Sequence, residues 1–136
     1  MTSLLDTHVL LWLAEGLPDL PESSRVRIDP AARQGGLAVS AISFWEVAML
    51  AARHRISLSL PVSSWRDMVL ESAGISELAV TGDVGIESVL LPGRLHEDPA
   101  DRLLIATARL QGLRLITGDE RILEYGAAGH VNVLVV

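Results

Sequence analysis

The stretch His96-Glu97-Asp98-Pro99-Ala100-Asp101-Arg102-Leu103-Leu104-Ile105-Ala106-Thr107-Ala108 opens a helix. Asp98 stands where an N-cap belongs, Pro99 at the first helical position, and Asp101 in the first turn, beside the positive end of the helix. Capping accounts fully for Asp98. It accounts less well for Asp101, because Ile105 and Ala108, four and seven residues on, share its face. Arg102 and Arg109 fall on a different stripe, so Asp101 has no obvious partner within its own helix. The spacing predicts a helix over 99–111, with Gly112 ending it.

Outward from this helix, short apolar runs alternate with helical patterns. Ser3-Leu4-Leu5, Leu37 to Ser40, Ile75 to Val80, Leu113 to Thr117 and Val131 to Val136 read as strands. Between them, helices are predicted over 8–15, 22–33, 42–55, 61–72, 82–90 and 119–125, the second interrupted or kinked near Asp29-Pro30. Gly35-Gly36 reads as a turn, and Pro92-Gly93 breaks the chain before the 99–111 helix. Strands this apolar are expected where both faces are covered. The fold class is therefore α/β: an α/β/α sandwich on a central, mainly parallel sheet. No repeat, low-complexity tract or linker divides the chain, so a single domain over 1–136 is expected.

The chain has 136 residues, 49% of them hydrophobic, enough for a substantial core. No run is long and apolar enough to span a bilayer, and no basic region precedes the short apolar N-terminal stretch, so a soluble, cytoplasmic protein is the expectation. The absence of cysteine excludes disulfides, thiolate metal sites and a thiol nucleophile. All eleven basic residues are arginine. With no lysine there is no P-loop lysine and no Schiff base, and any phosphate contact must come from arginine, backbone N–H groups or a metal. A formal charge of −6 is not that of a protein that holds nucleic acid by bulk charge.

In parallel α/β sheets, sites form beyond the carboxyl ends of the strands. Asp6 follows the first strand and Asp119 the fourth; Glu46 lies in the helix after the second, and Asp101 opens the helix before the fourth. Asp6 and Asp119 could each be a simple cap. Glu46 shares a helix face with Ile42, Met49 and Leu50. Ser43 and Glu46 also fit a capping box, although Ser40 is an equally good cap and would start the helix earlier. Carboxylates converging in one crevice repel and raise one another's pKa unless a cation lies between them. An all-oxygen site favours Mg²⁺ or Mn²⁺, and such ions also bind phosphate. The implied chemistry is metal-assisted phosphodiester hydrolysis.

Four motifs now stand in order: Leu4-Leu5-Asp6-Thr7-His8, Ser40-Ala41-Ile42-Ser43-Phe44-Trp45-Glu46-Val47-Ala48, Asp98 to Ala108, and Thr117-Gly118-Asp119. Each is weak alone. Together, and over essentially the whole chain, they resemble the PIN-domain nucleases, above all the small VapC-type toxins of bacterial toxin–antitoxin pairs. The resemblance implies a Mg²⁺- or Mn²⁺-dependent endoribonuclease whose acidic quartet corresponds to Asp6, Glu46, Asp101 and Asp119. Asp98 would be a helix cap or outer-shell residue. Thr117 would be a hydroxyl near the metal, or else a strand-end turn residue. It also implies a homodimer, an RNA substrate, and a cognate antitoxin that covers the site. Two rivals are an acid-site α/β phosphatase and a non-catalytic PIN-like RNA- or protein-binding module. The first normally needs Asp-x-Asp and a lysine, where this chain has Asp6-Thr7-His8 and none. Arg53, His54 and Arg55, with Arg102 and Arg109, are the candidate cations for RNA, against a solvated face or dipole compensation. Trp12, Trp45 and Trp65, all beside apolar neighbours on helices, read as core or interface residues.

Overall fold

Leu4 and Leu5 are both fully buried, yet neighbouring side chains on a strand point to opposite faces. They belong to different cores. Leu5 packs with Val39 and Ile116 against Val9, Leu10, Val47 and Trp65 on one side of the sheet. Leu4 packs with Ala38 and Leu115 against Leu104, Ile105, Ile122 and Tyr125 on the other. This double burial is why the strands carry almost no polar alternation.

The computed structural model describes residues 2–34, 36–72 and 74–136, and at 31–33 the backbone only. Its elements run β1 (Ser3–Leu5), α1 (Thr7–Ala14), α2 (Glu22–Arg33), β2 (Leu37–Ser40), α3 (Ala41–Ala52), α4 (Val62–Glu71), β3 (Ile75–Leu78), α5 (Gly82–Val89), α6 (Pro99–Gln111), β4 (Arg114–Thr117), α7 (Glu120–Ala127) and β5 (Val133–Val135). The five strands form one sheet in the order β3-β2-β1-β4-β5. Every pairing is parallel, with Leu4 opposite Leu115 and Leu5 opposite Ile116. The carboxyl ends of β1, β2 and β4 therefore lie side by side at the centre of one sheet edge. The residues that follow them are Asp6, Ala41 and Gly118. Strand order thus brings sequence-distant motifs together.

The expected elements are all present, with shifts at their ends. The third strand stops at Leu78, the fifth covers Val133–Val135, and α3 ends at Ala52 with His54 in the left-handed region at φ 55°. The second helix is not interrupted: it runs from Glu22 to Arg33 with Pro30 inside it. Pro30 removes one N–H donor but leaves the flanking turns hydrogen-bonded. Of the Gly35-Gly36 turn, Gly35 lies outside the described residues. Among the described residues no helix is long and apolar enough to cross a membrane.

Helix α6 keeps the start and stop read from sequence. The Asp98 carboxylate accepts from the Asp101 N–H at 3.0 Å, Pro99 sits in the first turn, and Gly112 ends the helix at φ 64°. Ala100, Leu104, Ile105, Thr107 and Ala108 are buried. The tryptophans divide. Trp65 is fully buried and meets Phe44 edge-on at 6.0 Å. Trp45 is 56% exposed and is no part of the core. It sits on the outer face of α3, which helical spacing turns away from the sheet when Phe44 and Val47 turn inward.

Candidate functional site at the carboxyl edge of the sheet

Asp6 is 3% exposed at the end of β1. Its backbone N–H donates to the Ile116 carbonyl at 3.0 Å, which ties it to β4. One carboxylate oxygen accepts from the Thr7 N–H at 2.7 Å, so Asp6 is the N-cap of α1. The other accepts from the Thr117 hydroxyl at 2.6 Å, and His8 Nδ1 stands 3.5 Å from it. Capping and a site role do not exclude each other here, because a buried carboxylate with two acceptor oxygens can serve both.

Glu46 projects from α3 toward the same edge. The N-cap of α3 is Ser40, whose hydroxyl accepts from the Ile42 N–H at 3.1 Å. Ser43 is instead fully buried and hydrogen-bonded to the Thr7 hydroxyl at 2.8 Å. The Ser43–Glu46 capping box therefore does not form, and Glu46 is left without that structural explanation. Burial raises the Glu46 pKa. The Thr7 hydroxyl opposes the rise, and the charges of Asp101, Asp6 and Asp98 add to it.

Asp101 is 15% exposed at the start of α6. Burial raises its pKa as well, against a hydrogen bond from His96, and Asp6 and Asp98 push it further up. His96 Nε2 lies 2.6 Å from Asp101 Oδ2. This partner comes from the loop ahead of the helix, five residues back across the Pro99 start. Reading α6 alone could not find it.

Asp119 behaves differently. It caps α7, accepting from the Arg121 and Ile122 N–H groups at 2.9 and 3.2 Å. Burial works to raise its pKa, but the hydrogen bonds from Ile122 and Arg121 and the Arg121 charge outweigh it and hold the carboxyl below its ordinary value. Asp119 joins the other acids by two routes. Its N–H donates to the Thr117 hydroxyl at 3.0 Å, the same hydroxyl that donates to Asp6. And Arg121 reaches both Asp119 and Asp101, at 3.4 and 3.9 Å. Thr117 is thus a fully buried link between two acids, and its hydroxyl also closes the turn at the end of β4.

The charges of Asp6 and Asp98 therefore add to the burial that raises the proton affinity of Glu46 and Asp101, with Asp119 at the margin of the group. Among the described residues no three such side chains are gathered as a ready ligand cage for an ion. The donor set still fits a hard divalent cation in kind: oxygen donors only, no sulfur, and like charges held close at an energetic cost that a cation would relieve.

Two expected cations are committed elsewhere. The Arg102 guanidinium donates to the backbone carbonyls of Ser88, Val89, Leu95 and His96, and so fixes the chain that enters α6. Arg109 pairs with Glu87 at 3.1 Å and donates to the His130 carbonyl. Arg53, His54 and Arg55 are exposed at the far end of α3. At 1.5 Å per residue that end is about 18 Å from the strand ends.

A five-stranded parallel sheet with helices on both faces and an acid cluster at its central carboxyl edge places this chain among the α/β proteins whose sites lie beyond the strand ends. The PIN-domain family matches residues 3–128. Ribonuclease VapC22 of Mycobacterium tuberculosis is 40% identical over 121 residues, covering 89% of each chain. The chain belongs to the PIN-domain family, among its VapC-type members. Solved structures agree on the fold. VapBC2 from Rickettsia felis, bound to a DNA fragment from its promoter, superimposes with a TM-score of 0.71 at 14% identity, over 99% of this chain and 98% of that one. A toxin–antitoxin complex from Klebsiella pneumoniae gives 0.66 at 22% identity, over 98% and 96%. DNA-bound VapBC from Salmonella typhimurium gives 0.68 at 18%, over 99% and 98%.

Proposed function

We propose that this protein is a VapC-type ribonuclease toxin: a Mg²⁺- or Mn²⁺-dependent endoribonuclease that is held in check by a cognate antitoxin and acts in the cytoplasm. The observation that carries this reading is the convergence of Asp6, Glu46 and Asp101 at the carboxyl edge, on a chain 40% identical to a ribonuclease. Asp6, Glu46 and Asp101 would hold the metal, with Asp119 completing the set. When bound, the metal supplies charge for the scissile phosphate and acidifies a water.

The chain's own residues do the rest. Thr7 and Thr117 fix the orientation of Asp6 by donating to its two oxygens. His96 holds Asp101 through Oδ2. Glu46 is the acid least tied by the fold, and its raised pKa suits it to accept the proton of an attacking water. The working form is one PIN-like domain over 1–136 that pairs as a homodimer. Support for pairing comes from α5, where Ile86, Val89 and Leu90 are exposed three and four residues apart on one stripe.

The test is cleavage of total RNA by the purified protein with Mn²⁺ or Mg²⁺, beside its Asp101→Asn variant and an EDTA control. Wild type should cut, the variant should not, and induced expression should arrest growth. RNA left intact by wild type, with no growth defect, ends the toxin reading. Hydrolysis of a simple phosphate ester without RNA cleavage would point to the phosphatase instead.

A further inference from the structure

A groove of about 760 Å³ lies between the 93–97 loop and α7. It adjoins the acid cluster: His96 and Arg121 line it, and the same two side chains reach Asp101, at 2.6 and 3.9 Å. In a chain of net charge −6, Arg94, Arg102 and Arg121 meet here together with His96 and His130, against two acids, Glu97 and Glu124. The roles differ. Arg102 is spent on backbone carbonyls. Arg94 is exposed, and Arg121 is 60% exposed, so both can offer N–H donors to a ligand in the groove.

The walls are pre-formed. Arg102 holds the carbonyls of Leu95 and His96, and the Tyr125 hydroxyl donates to the Pro92 carbonyl. Gly93 takes φ 69°, and a Cβ there would stand 2.7 Å from His130 Nε2. The loop and the His130 ring are thus packed so closely that only glycine fits. The His130 ring lies 4.7 Å from the Tyr125 ring, tilted by 33°, and the residue is partly exposed.

We propose that this groove binds a single RNA strand beside the cleavage site, with phosphates on Arg94 and Arg121 and one base against the His130 ring. Exposed guanidinium groups match phosphate oxygens, Arg121 through the N–H donors that Asp119 and Asp101 leave over, and an aromatic ring matches an unpaired base. The proposal deepens the ribonuclease reading and rests on it. It assigns RNA attraction to a local cation pair in place of the Arg53-His54-Arg55 cluster, which lies at the far end of α3.

The test separates the two. Binding of a single-stranded RNA oligonucleotide is measured with Mg²⁺ in the Glu46→Gln background, across a salt series. Adding Arg94→Ala should weaken binding on the order of tenfold, and Arg94→Ala with Arg121→Ala should flatten the salt slope by about 0.7 per lost contact. Arg55→Glu, a larger charge change at the far end, should leave binding within about twofold. In the active enzyme Arg94→Ala should raise KM and leave kcat within about threefold, because it removes binding and not chemistry. An unchanged salt slope in the double variant overturns the proposal, as does an equal loss from Arg55→Glu. So does weakened antitoxin capture with RNA binding intact. Failure of the ribonuclease reading would be seen separately, as wild-type protein that cuts no RNA.

Discussion

The starts of α6 and α7 each bring an aspartate to the carboxyl edge of the sheet, and the fold treats the two in opposite ways. At α7 the cap and the acid are one residue: Asp119 accepts two backbone N–H groups and pairs with Arg121, and its pKa falls despite burial. At α6 the jobs are split. Asp98 caps the helix, which leaves Asp101 half-buried three residues on, where among the described residues His96 and a distant Arg121 offset its neighbours' charge. An acid satisfied by its own helix is stabilising. An acid spared that duty carries unspent negative charge, and that is the property a cation site needs.

The largest expected effect follows from that difference. Asp6→Asn and Asp101→Asn should each lower Mn²⁺-dependent RNA cleavage by more than about 100-fold, since even outer-shell partners of metal ligands cost 10–100-fold. Circular dichroism should be unchanged. Asp119→Asn should lose less, on the order of tenfold, because asparagine keeps the cap. A loss as complete as that of Asp101→Asn would break the comparison and make Asp119 an equal member of the site.

Stability should sort the same residues in reverse. Asp98→Ala and Asp119→Ala each remove a cap and should cost about 0.5–2 kcal/mol in denaturant unfolding. Asp98→Ala should keep most activity. Should it lose activity while Asp101→Asn keeps it, the roles within α6 are exchanged.

The smallest effect sharpens the electrostatic side. Without metal, Glu46→Gln should melt higher than wild type at neutral pH. The folded-state pKa of Glu46 lies above its ordinary value, so burying its charge opposes folding wherever both folded and unfolded forms are ionised. As pH falls through the raised value, the folded protein takes up the proton first and the penalty shrinks. It is gone below the ordinary glutamate range. The advantage of the variant should therefore fade on acidification, and a constant advantage at all pH values would remove the repulsion argument.

Much of the fold was legible because its signals are local. Asp98-Pro99 and Gly112 bound α6 within one stretch of chain, and two-faced burial is written into Leu4-Leu5 and Leu37 to Val39. What stayed open in the sequence shares one cause. Arg102 and Arg109 stood open between RNA contact and a solvated face because their partners lie 14 and 22 residues away, at Ser88 and Glu87. For Trp45, apolar neighbours in sequence left core and interface both open, and the turn of its helix takes it out of the core. Arg121 drew no notice, because its reach to Asp101 spans twenty positions of chain and a strand between them.

By itself the sequence determined which segments are helices and, for α6, where the helix begins and ends, which strands must be covered on both faces, and which carboxylates stand on apolar stripes. Those properties depend on spacing along one segment. Tertiary structure alone decided which acids share a field and which cations are already spent. It is the parallel order β2-β1-β4 that sets Asp6 beside the ends of its neighbours, and it is the packing of α3 and α6 on that sheet that couples Glu46 to Asp101. Charge acts through space, and only the folded chain fixes the distances over which it acts.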